Sequence, residues 1–169
     1  GGCFVVEVAP EGKPGFTSFC YPGSLPGHTF AATRAGLAQT INNVRIREPR
    51  PGVPRMILAR AVLDAASLDD ALALLRDTPR ASGFHHTIGG TDTSHGVRLY
   101  SVEATAARCS IEPIRAASGH ANHLIHAGCE GEAQIVTDSS RDRQARLAQL
   151  LPMHAAQPDG AAFVDVLHD

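Results

Sequence analysis

The sequence has no tryptophan, few other aromatic residues and no strong excess of charge of either sign. Its 169 residues include 15 Lys and Arg against 17 Asp and Glu, a formal net charge of -2. Binding to nucleic acid or to an anionic membrane requires a basic surface, and this balance gives no sign of one. We therefore expect a small-molecule partner, with no nucleic acid and no membrane.

Long apolar runs are also missing. No run reaches the length of a membrane span, and the first residues lack the basic and then apolar pattern of a signal peptide. We expect a cytoplasmic protein, unless a signal was removed from a precursor.

Cysteine is sparse, with four residues that form no CxxC pair. Neither a zinc site nor a disulfide framework is required by this spacing. Cys3 follows two glycines, which is where a hydrolase with an N-terminal nucleophile would expose its catalytic amine and thiol. The alternative is that Cys3 opens a β-strand, because CFVVEV is rich in β-branched and aromatic residues.

The pattern of apolar and turn residues predicts strands, then two helices, then strands and a last helix. We expect strands at 3–8, 15–21, 28–44 (two short strands), 84–90, 97–104 and around 121–126, and helices at 53–66, 68–77 and 138–151. Pro54 and Ser67 are typical of helix starts, and Ser67 with Asp70 forms a capping-box-like pair. This order is typical of an α+β protein.

Three stretches of the sequence are more specific as a combination than any one of them is alone. They read TRAGLAQTINNVR, then PRASGFHHTIGGTD, then SGHANHLIH leading to SSRDRQARLAQLL. Their order and spacing resemble the acyl-coenzyme A:6-aminopenicillanate acyltransferase family, peptidase family C45. The resemblance implies an α+β fold, the four-layer αββα sandwich of the N-terminal-nucleophile hydrolases, which is related to bile-salt hydrolases and penicillin V acylases. On this basis residues 1–169 are expected to be a single domain, the central and rear part of the sandwich, incomplete at both ends.

The resemblance also implies site residues. Asn122 in HANH matches an Asn near the oxyanion, and its neutral NH₂ suits charge that appears only in a tetrahedral intermediate. Asn42 matches a second Asn of the site, with Asn43 as the alternative register. Arg143 matches an active-site Arg that can lower a thiol pKa or hold a substrate carboxylate, and Arg141 is its alternative.

The nucleophile departs from the family pattern, in which Gly-Cys-Thr starts the catalytic chain. Here Cys3 is followed by Phe4, so we expect the nucleophile to come from a segment outside this chain, with Cys3 as the runner-up. A complementary chain is then one expected partner. Missing strands would leave sheet edges unpaired, which also predicts an oligomer.

The predicted function is therefore an amide hydrolase or acyltransferase that works through a cysteine acyl-enzyme on a small acyl amide or thioester. Tyr21 and His123 are candidate substrate contacts, and no metal or organic cofactor is expected. One alternative is a non-catalytic binding or scaffold module that retains the sandwich. A second is a zinc-dependent hydrolase that uses the HxxHxxHxxC pattern of residues 120–129.

Two further predictions concern polar residues within the expected strands. His85 and His86 are adjacent in a strand, so their side chains should point to opposite faces. Glu103 could serve as a general acid or base, but a hydrogen-bonded pair at the strand end is the favoured interpretation.

Overall fold

Strands and helices follow one another much as the sequence predicts. The structure is a computed structural model that describes residues 2–92, 96–154 and 160–168. Its strands are β1 (Phe4–Val8), β2 (Phe16–Cys20), β3 (Ala31–Thr33), β4 (Leu37–Val44), β5 (Gly83–Asp92), β6 (Gly96–Ala104) and β7 (Cys109–Pro113). Its helices are α1 (Arg55–Val62), α2 (Leu68–Asp77), α3 (Asp138–His154) and α4 (Gly160–His168).

The strands form one antiparallel sheet in which each strand pairs with the next along the chain, in the order β1 to β7. The β3–β4 and β6–β7 connections are short, whereas α1 and α2 lie between β4 and β5. Between β3 and β4 the chain reverses at Gly36, whose φ of 81° lies in the left-handed region that favours glycine. The register places Asn42 opposite His85, and His85 opposite Glu103.

One face of the sheet packs on α1 and α2. Apolar side chains from both helices meet alternate residues of β4, β5 and β6. The core consists of Leu37, Leu58, Val62, Leu68, Ala71, Leu72, Leu75, Ile88, Val102 and Ala104. Both helix starts agree with the predictions: Pro54 precedes α1, and the Ser67 hydroxyl accepts from the Asp70 N–H at 3.1 Å.

On the opposite face of the sheet, the described residues cover one end. The residues between β7 and α3 lie over the ends of β4, β5 and β6, as the contacts of Asn42, His85 and Glu103 show. At the other end of the same face, apolar side chains surround an open cleft of about 630 Å³. Within the described ranges, no helix has the length and apolar character to cross a membrane.

Three local predictions were wrong or missed. The expected strand around 121–126 is irregular, because side chains of other elements, and not a neighbouring strand, accept its backbone N–H groups. Strand β7 and helix α4 were not predicted.

Candidate active site

Asn122 and Arg143, both predicted as site residues, lie side by side. Asn122 belongs to the irregular segment between β7 and α3, and Arg143 lies in the second turn of α3. The Arg143 Nη2 atom donates to Asn122 Oδ1 at 2.9 Å, and Asn122 Nδ2 donates to the backbone oxygen of Asn43 at 3.0 Å. These contacts fix the orientation of the Asn122 amide, with its NH₂ toward the end of β4.

The pair lines a cavity of about 390 Å³ at the end of β4. Six of the seven described residues that line it have polar side chains, and Ile135 is the exception. The lining residues are Asn43, Arg45, Asn122, Ile135, Thr137, Ser139 and Arg143. Amide, hydroxyl and guanidinium donors therefore converge on one small space, an arrangement suited to stabilising negative charge.

Arg141 and Asn43, the two alternatives left open by the sequence, differ in their position relative to the cavity. Arg141 pairs with Asp138 at 2.8 Å, and its side chain is 61% exposed, outside the cavity lining. Asn43 lines the cavity, and its side-chain oxygen accepts from Arg55. The geometry thus favours Arg143 over Arg141 as the cation beside Asn122.

An oxyanion donor needs an unoccupied N–H group, and the contacts of Asn42 do not provide one. Its NH₂ group donates to two backbone oxygens, those of His120 and Ala121, the latter at 3.0 Å. Both of its N–H groups are therefore engaged. These contacts make Asn42 an anchor for the segment that carries Asn122, and they lend no support to a direct role at the oxyanion.

Helix α3 anchors the same segment from another side. The Ser140 hydroxyl accepts from the Asn122 backbone N–H and also contacts His123 Nδ1, each at 2.8 Å. Gln144 accepts from the N–H of Ala121 at 2.7 Å. An irregular segment held by side-chain acceptors in this way can present Asn122 in a fixed position.

Glu103 is the most completely buried carboxylate near the segment. Its Oε1 accepts from His120 Nε2 at 2.9 Å and from the N–H of Ile125 at 2.6 Å, and its Oε2 accepts from the N–H of His126 at 3.2 Å. Burial alone would raise the pKa of Glu103, but the hydrogen bonds from His120 and Ile125 outweigh that effect and leave the pKa below its ordinary value. The prediction of a hydrogen-bonded pair is therefore confirmed.

Histidine rings fill the space around Glu103. The His85 and His120 rings stack with centroids 3.5 Å apart, and Ser101 Oγ lies 2.8 Å from a ring nitrogen of both His85 and His126. Burial, followed by the nearby His120, His86 and His126, lowers the pKa of His85 to about 2. His86 points to the opposite face, toward Gln39, as predicted, and burial lowers its pKa to about 3.

The HxxHxxHxxC pattern does not converge on one point. His120 bonds to Glu103, His123 contacts Ser140, His126 lies between Ser101 and Ser110, and Cys129 Sγ faces the backbone oxygen of Glu103. In the described part of the chain, no group of three His, Cys, Asp or Glu side chains has the arrangement of a metal site.

Comparison with known proteins gives the family. The model of the acyl-coenzyme A:6-aminopenicillanic acid acyl-transferase family matches residues 1–169. The chain belongs to this family. The resemblance seen in the sequence motifs is thus confirmed.

Two relatives of this acyltransferase-family chain add detail. The β-alanyl-dopamine/carcinine hydrolase of Drosophila melanogaster is 35% identical over 79 residues, which is 43% of this chain and 20% of that protein. A variant of conjugated bile acid hydrolase from Clostridium perfringens superimposes with a TM-score of 0.60 at 12% identity, over 92% of this chain and 63% of that one. The chain therefore spans a fifth of one relative and less than two thirds of the other. The structural likeness confirms the predicted α+β sandwich fold of the N-terminal-nucleophile hydrolases, of which the described residues form one sheet and its helices.

None of the four cysteines of this family member is among the residues that line the cavity at the Asn122–Arg143 pair. Cys3 is exposed and directly precedes β1, which is three strand spacings from β4, or about 14 Å at ~4.8 Å per spacing. Cys20 is buried. Burial raises the pKa of Cys109, and burial together with Glu103 raises that of Cys129 to about 12, which makes both weak nucleophiles.

The two predicted substrate contacts are separated in the structure. His123 lies beside Ser140 at the base of the Asn122 segment, where burial lowers its pKa. Tyr21 is 47% exposed, packs edge-on against Phe19, and belongs to neither the cavity lining nor the open cleft. Its role in substrate binding stays a prediction.

Sequence reasoning missed several residues that build the site. Ser140 and Gln144 hold the Asn122 segment from α3, and Gln134 and Glu103 hold it farther along. All four residues have polar side chains that are buried or half-buried. Only Glu103 was recognisable in the sequence, because it is a polar residue at the end of an apolar strand.

Proposed function

We propose that this chain is part of an amide hydrolase or acyltransferase that works through a cysteine acyl-enzyme. Asn122 is the oxyanion donor, Arg143 supplies the local positive charge, and the thiolate comes from a segment outside these 169 residues. The observation that carries the proposal is the Asn122–Arg143 hydrogen bond at the wall of one cavity.

The geometry supports this chemistry in a specific way. One N–H of the Asn122 amide is used by the Asn43 carbonyl, which leaves the second N–H to donate to a reacting oxygen. Because Asn122 Oδ1 accepts from a cationic guanidinium, the amide is polarised and its NH₂ becomes a stronger donor.

The reaction then has two steps. The thiol loses its proton and adds as the thiolate to the carbonyl carbon, and the oxyanion forms at Asn122. The C–N bond then breaks, the amine leaves with the proton that the thiol gave up, and the thioester remains. Water or a second amine attacks the thioester carbonyl and gives up a proton, the C–S bond breaks, and that proton restores the thiol. Hydrolysis and acyl transfer differ only in this second nucleophile.

The names of the relatives support this reaction class. One is a hydrolase of a β-alanyl-amine, the other a hydrolase of conjugated bile acid, and the family is named for acyl transfer. We infer a small acyl amide or thioester as substrate and no nucleic-acid partner. A cytoplasmic site of action and a single domain over residues 1–169 remain our proposals.

The placement of the thiols favours one rival. Because none of the four cysteines lines the cavity, the chain could act as a non-catalytic binding module. Acylation separates the two proposals. The protein at its natural length is treated with p-nitrophenyl acetate, and the adduct is located by mass spectrometry after digestion, with and without prior iodoacetamide.

We expect one thiol outside residues 1–169 to be acylated, and iodoacetamide to block it. Cys3→Ser is the matched control and should leave the acylation unchanged, because Cys3 is not among the residues that line the cavity. Acylation at Cys3 would overturn the placement of the nucleophile. No thiol acylation at all would favour the binding module.

A further inference from the structure

Ser101 and His126 form a hydrogen-bonded pair that the proposed reaction does not use. The Ser101 Oγ atom lies 2.8 Å from His126 Nε2, within the reach that a nucleophile needs from its general base. His126 is buried, and its other ring nitrogen, Nδ1, is 3.2 Å from Ser110 Oγ and 3.7 Å from Glu112 Oε1. The base is therefore oriented from its far side, as in hydrolases that activate a serine.

His85 decides which way the Ser101 hydrogen points. The lowered pKa of His85 keeps its ring neutral, with one proton. His85 Nε2 also lies 2.8 Å from Ser101 Oγ, while the buried His85 Nδ1 has no hydrogen-bond partner among the described residues. A buried N–H without an acceptor is costly, so the ring proton belongs on Nε2 and donates to Ser101. The single hydrogen of the Ser101 hydroxyl then donates to His126 Nε2, and the His126 proton sits on Nδ1, facing Ser110 and Glu112.

Ser101 lies where the covered end of the sheet meets the open cleft. It is half-buried, whereas Ser140, which makes an equally short contact with a histidine, is 1% exposed. Leu99, on the same face of β6, and Thr87, the register partner of Ser101 on β5, both line the cleft. Directly opposite side chains of a sheet have Cβ atoms about 5 Å apart, which places the Thr87 hydroxyl within reach of an oxyanion formed at Ser101.

We propose that Ser101 is a second nucleophile of this protein, with His126 as its general base, and that it cleaves carboxylic esters with an apolar acyl group. The cleft favours this substrate class, because its walls include Phe19, Phe30 and Leu99 around a volume of about 630 Å³. The inference does not rest on the proposed function, since it needs no thiolate.

The ester is cleaved in two steps. Ser101 Oγ adds to the ester carbonyl carbon as its proton passes to His126 Nε2, the C–O bond to the alcohol breaks, and the alcohol leaves with that proton. Water then attacks the acyl-serine and gives a proton to His126 Nε2. The bond between the acyl carbon and Ser101 Oγ breaks, and that proton restores the hydroxyl.

Labelling with an alkyl fluorophosphonate tests the inference, because this probe forms a P–O bond with an activated serine and releases fluoride. The protein at its natural length is treated first with iodoacetamide, to block its thiols, and then with a hexyl fluorophosphonate. The adduct is located by mass spectrometry after digestion. We expect Ser101 to be labelled about a hundred-fold faster than any other serine, Ser140 included, because a positioned base activates it. Ser101→Ala should remove the adduct.

His126→Gln removes the base and should slow the labelling of Ser101 about a hundred-fold, within the usual contribution of a general base. His28→Gln is the matched control, because it makes the same substitution at a half-buried histidine whose ring contacts the Leu25 carbonyl before β3. It should leave the rate unchanged. In the wild type, a methyl fluorophosphonate should react about ten-fold more slowly than the hexyl probe, because it buries less apolar surface in the cleft.

No adduct at Ser101, an adduct that iodoacetamide prevents, or equal rates in the wild type and a folded His126→Gln variant would overturn the inference. Equal rates for the two alkyl probes would overturn the apolar acyl group as the substrate class. The wild-type adduct decides the proposal even when His126→Gln does not fold. Labelling of Ser101, together with no thiol acylation by p-nitrophenyl acetate, would uphold the second nucleophile and count against the proposed function.

Discussion

The two ends of one sheet face differ sharply, although the same strands form both. At the covered end, Asn42, His85 and Glu103 lie in one row across β4, β5 and β6, and His85 and Glu103 are fully buried. At the open end, the rows hold apolar and small residues such as Ala38 and Leu99 around a cleft of about 630 Å³.

The difference follows from what covers each end. Where the segment before α3 lies on the sheet, polar groups are taken from water, and Glu103 and Asn42 supply partners to the backbone of that segment. Among the described residues, the buried His85 Nδ1 at this end has no hydrogen-bond partner. At the open end, Val97 is 79% exposed and Val5 is 65% exposed. The covered end thus gains its order from hydrogen bonds, and the site is built there.

Glu103→Ala should have the largest effect on stability. The substitution leaves His120 and two backbone N–H groups without their acceptor in a buried space. We expect a loss of about 3–5 kcal/mol in the free energy of unfolding, measured with urea.

Two controls test whether this loss belongs to the covered end. Glu112→Ala removes a carboxylate one row away that is 51% exposed and 3.7 Å from His126, and Val97→Lys alters the open end. Both should change the free energy by about 0.5 kcal/mol or less. Similar losses in all three variants would contradict the contrast between the two ends.

Acid should destabilise the protein through its buried histidines. The pKa values of His85 and His86 are lowered to about 2 and about 3, so the unfolded chain binds protons at these residues below about pH 6.5 and the folded chain does not. Stability should fall with decreasing pH, by about 1.4 kcal/mol per pH unit for each residue once the pH is well below 6.5. The lowered pKa of Glu103 acts in the same direction at lower pH.

His86→Gln removes one of these two contributions. His86 lies on the face of the sheet that packs against α1 and α2, away from the site. Urea unfolding between pH 6 and pH 4 should show a slope reduced by about 1.4 kcal/mol per pH unit. An unchanged slope would mean that His86 takes up a proton in the folded protein.

Most of the sheet could be predicted because its signals are local. Alternating residues and turn glycines define β2 to β6, and Ser67 with Asp70 defines the start of α2. The segment of residues 121–126 could not be predicted in this way. Its alternation resembles a strand, but its backbone partners are side chains from β6 and α3 that are distant in sequence.

The site shows the same limit. Asn122 and Arg143 were recognisable from motif spacing, and the structure brings them into hydrogen-bond contact. The contacts that engage both N–H groups of Asn42 arise only from the fold, because the carbonyls of His120 and Ala121 are nearly eighty positions away. Spacing can identify a residue type, but the choice between donor and anchor depends on tertiary contacts.

The catalytic constant of Asn122→Ala in the natural-length protein tests the central claim most directly. With an acyl amide that the wild type hydrolyses, and with folding checked by urea unfolding, we predict a fall in kcat of about a hundred-fold, the usual effect of losing one oxyanion donor. A fall of less than about three-fold in the folded variant would contradict the assignment of Asn122 to the oxyanion.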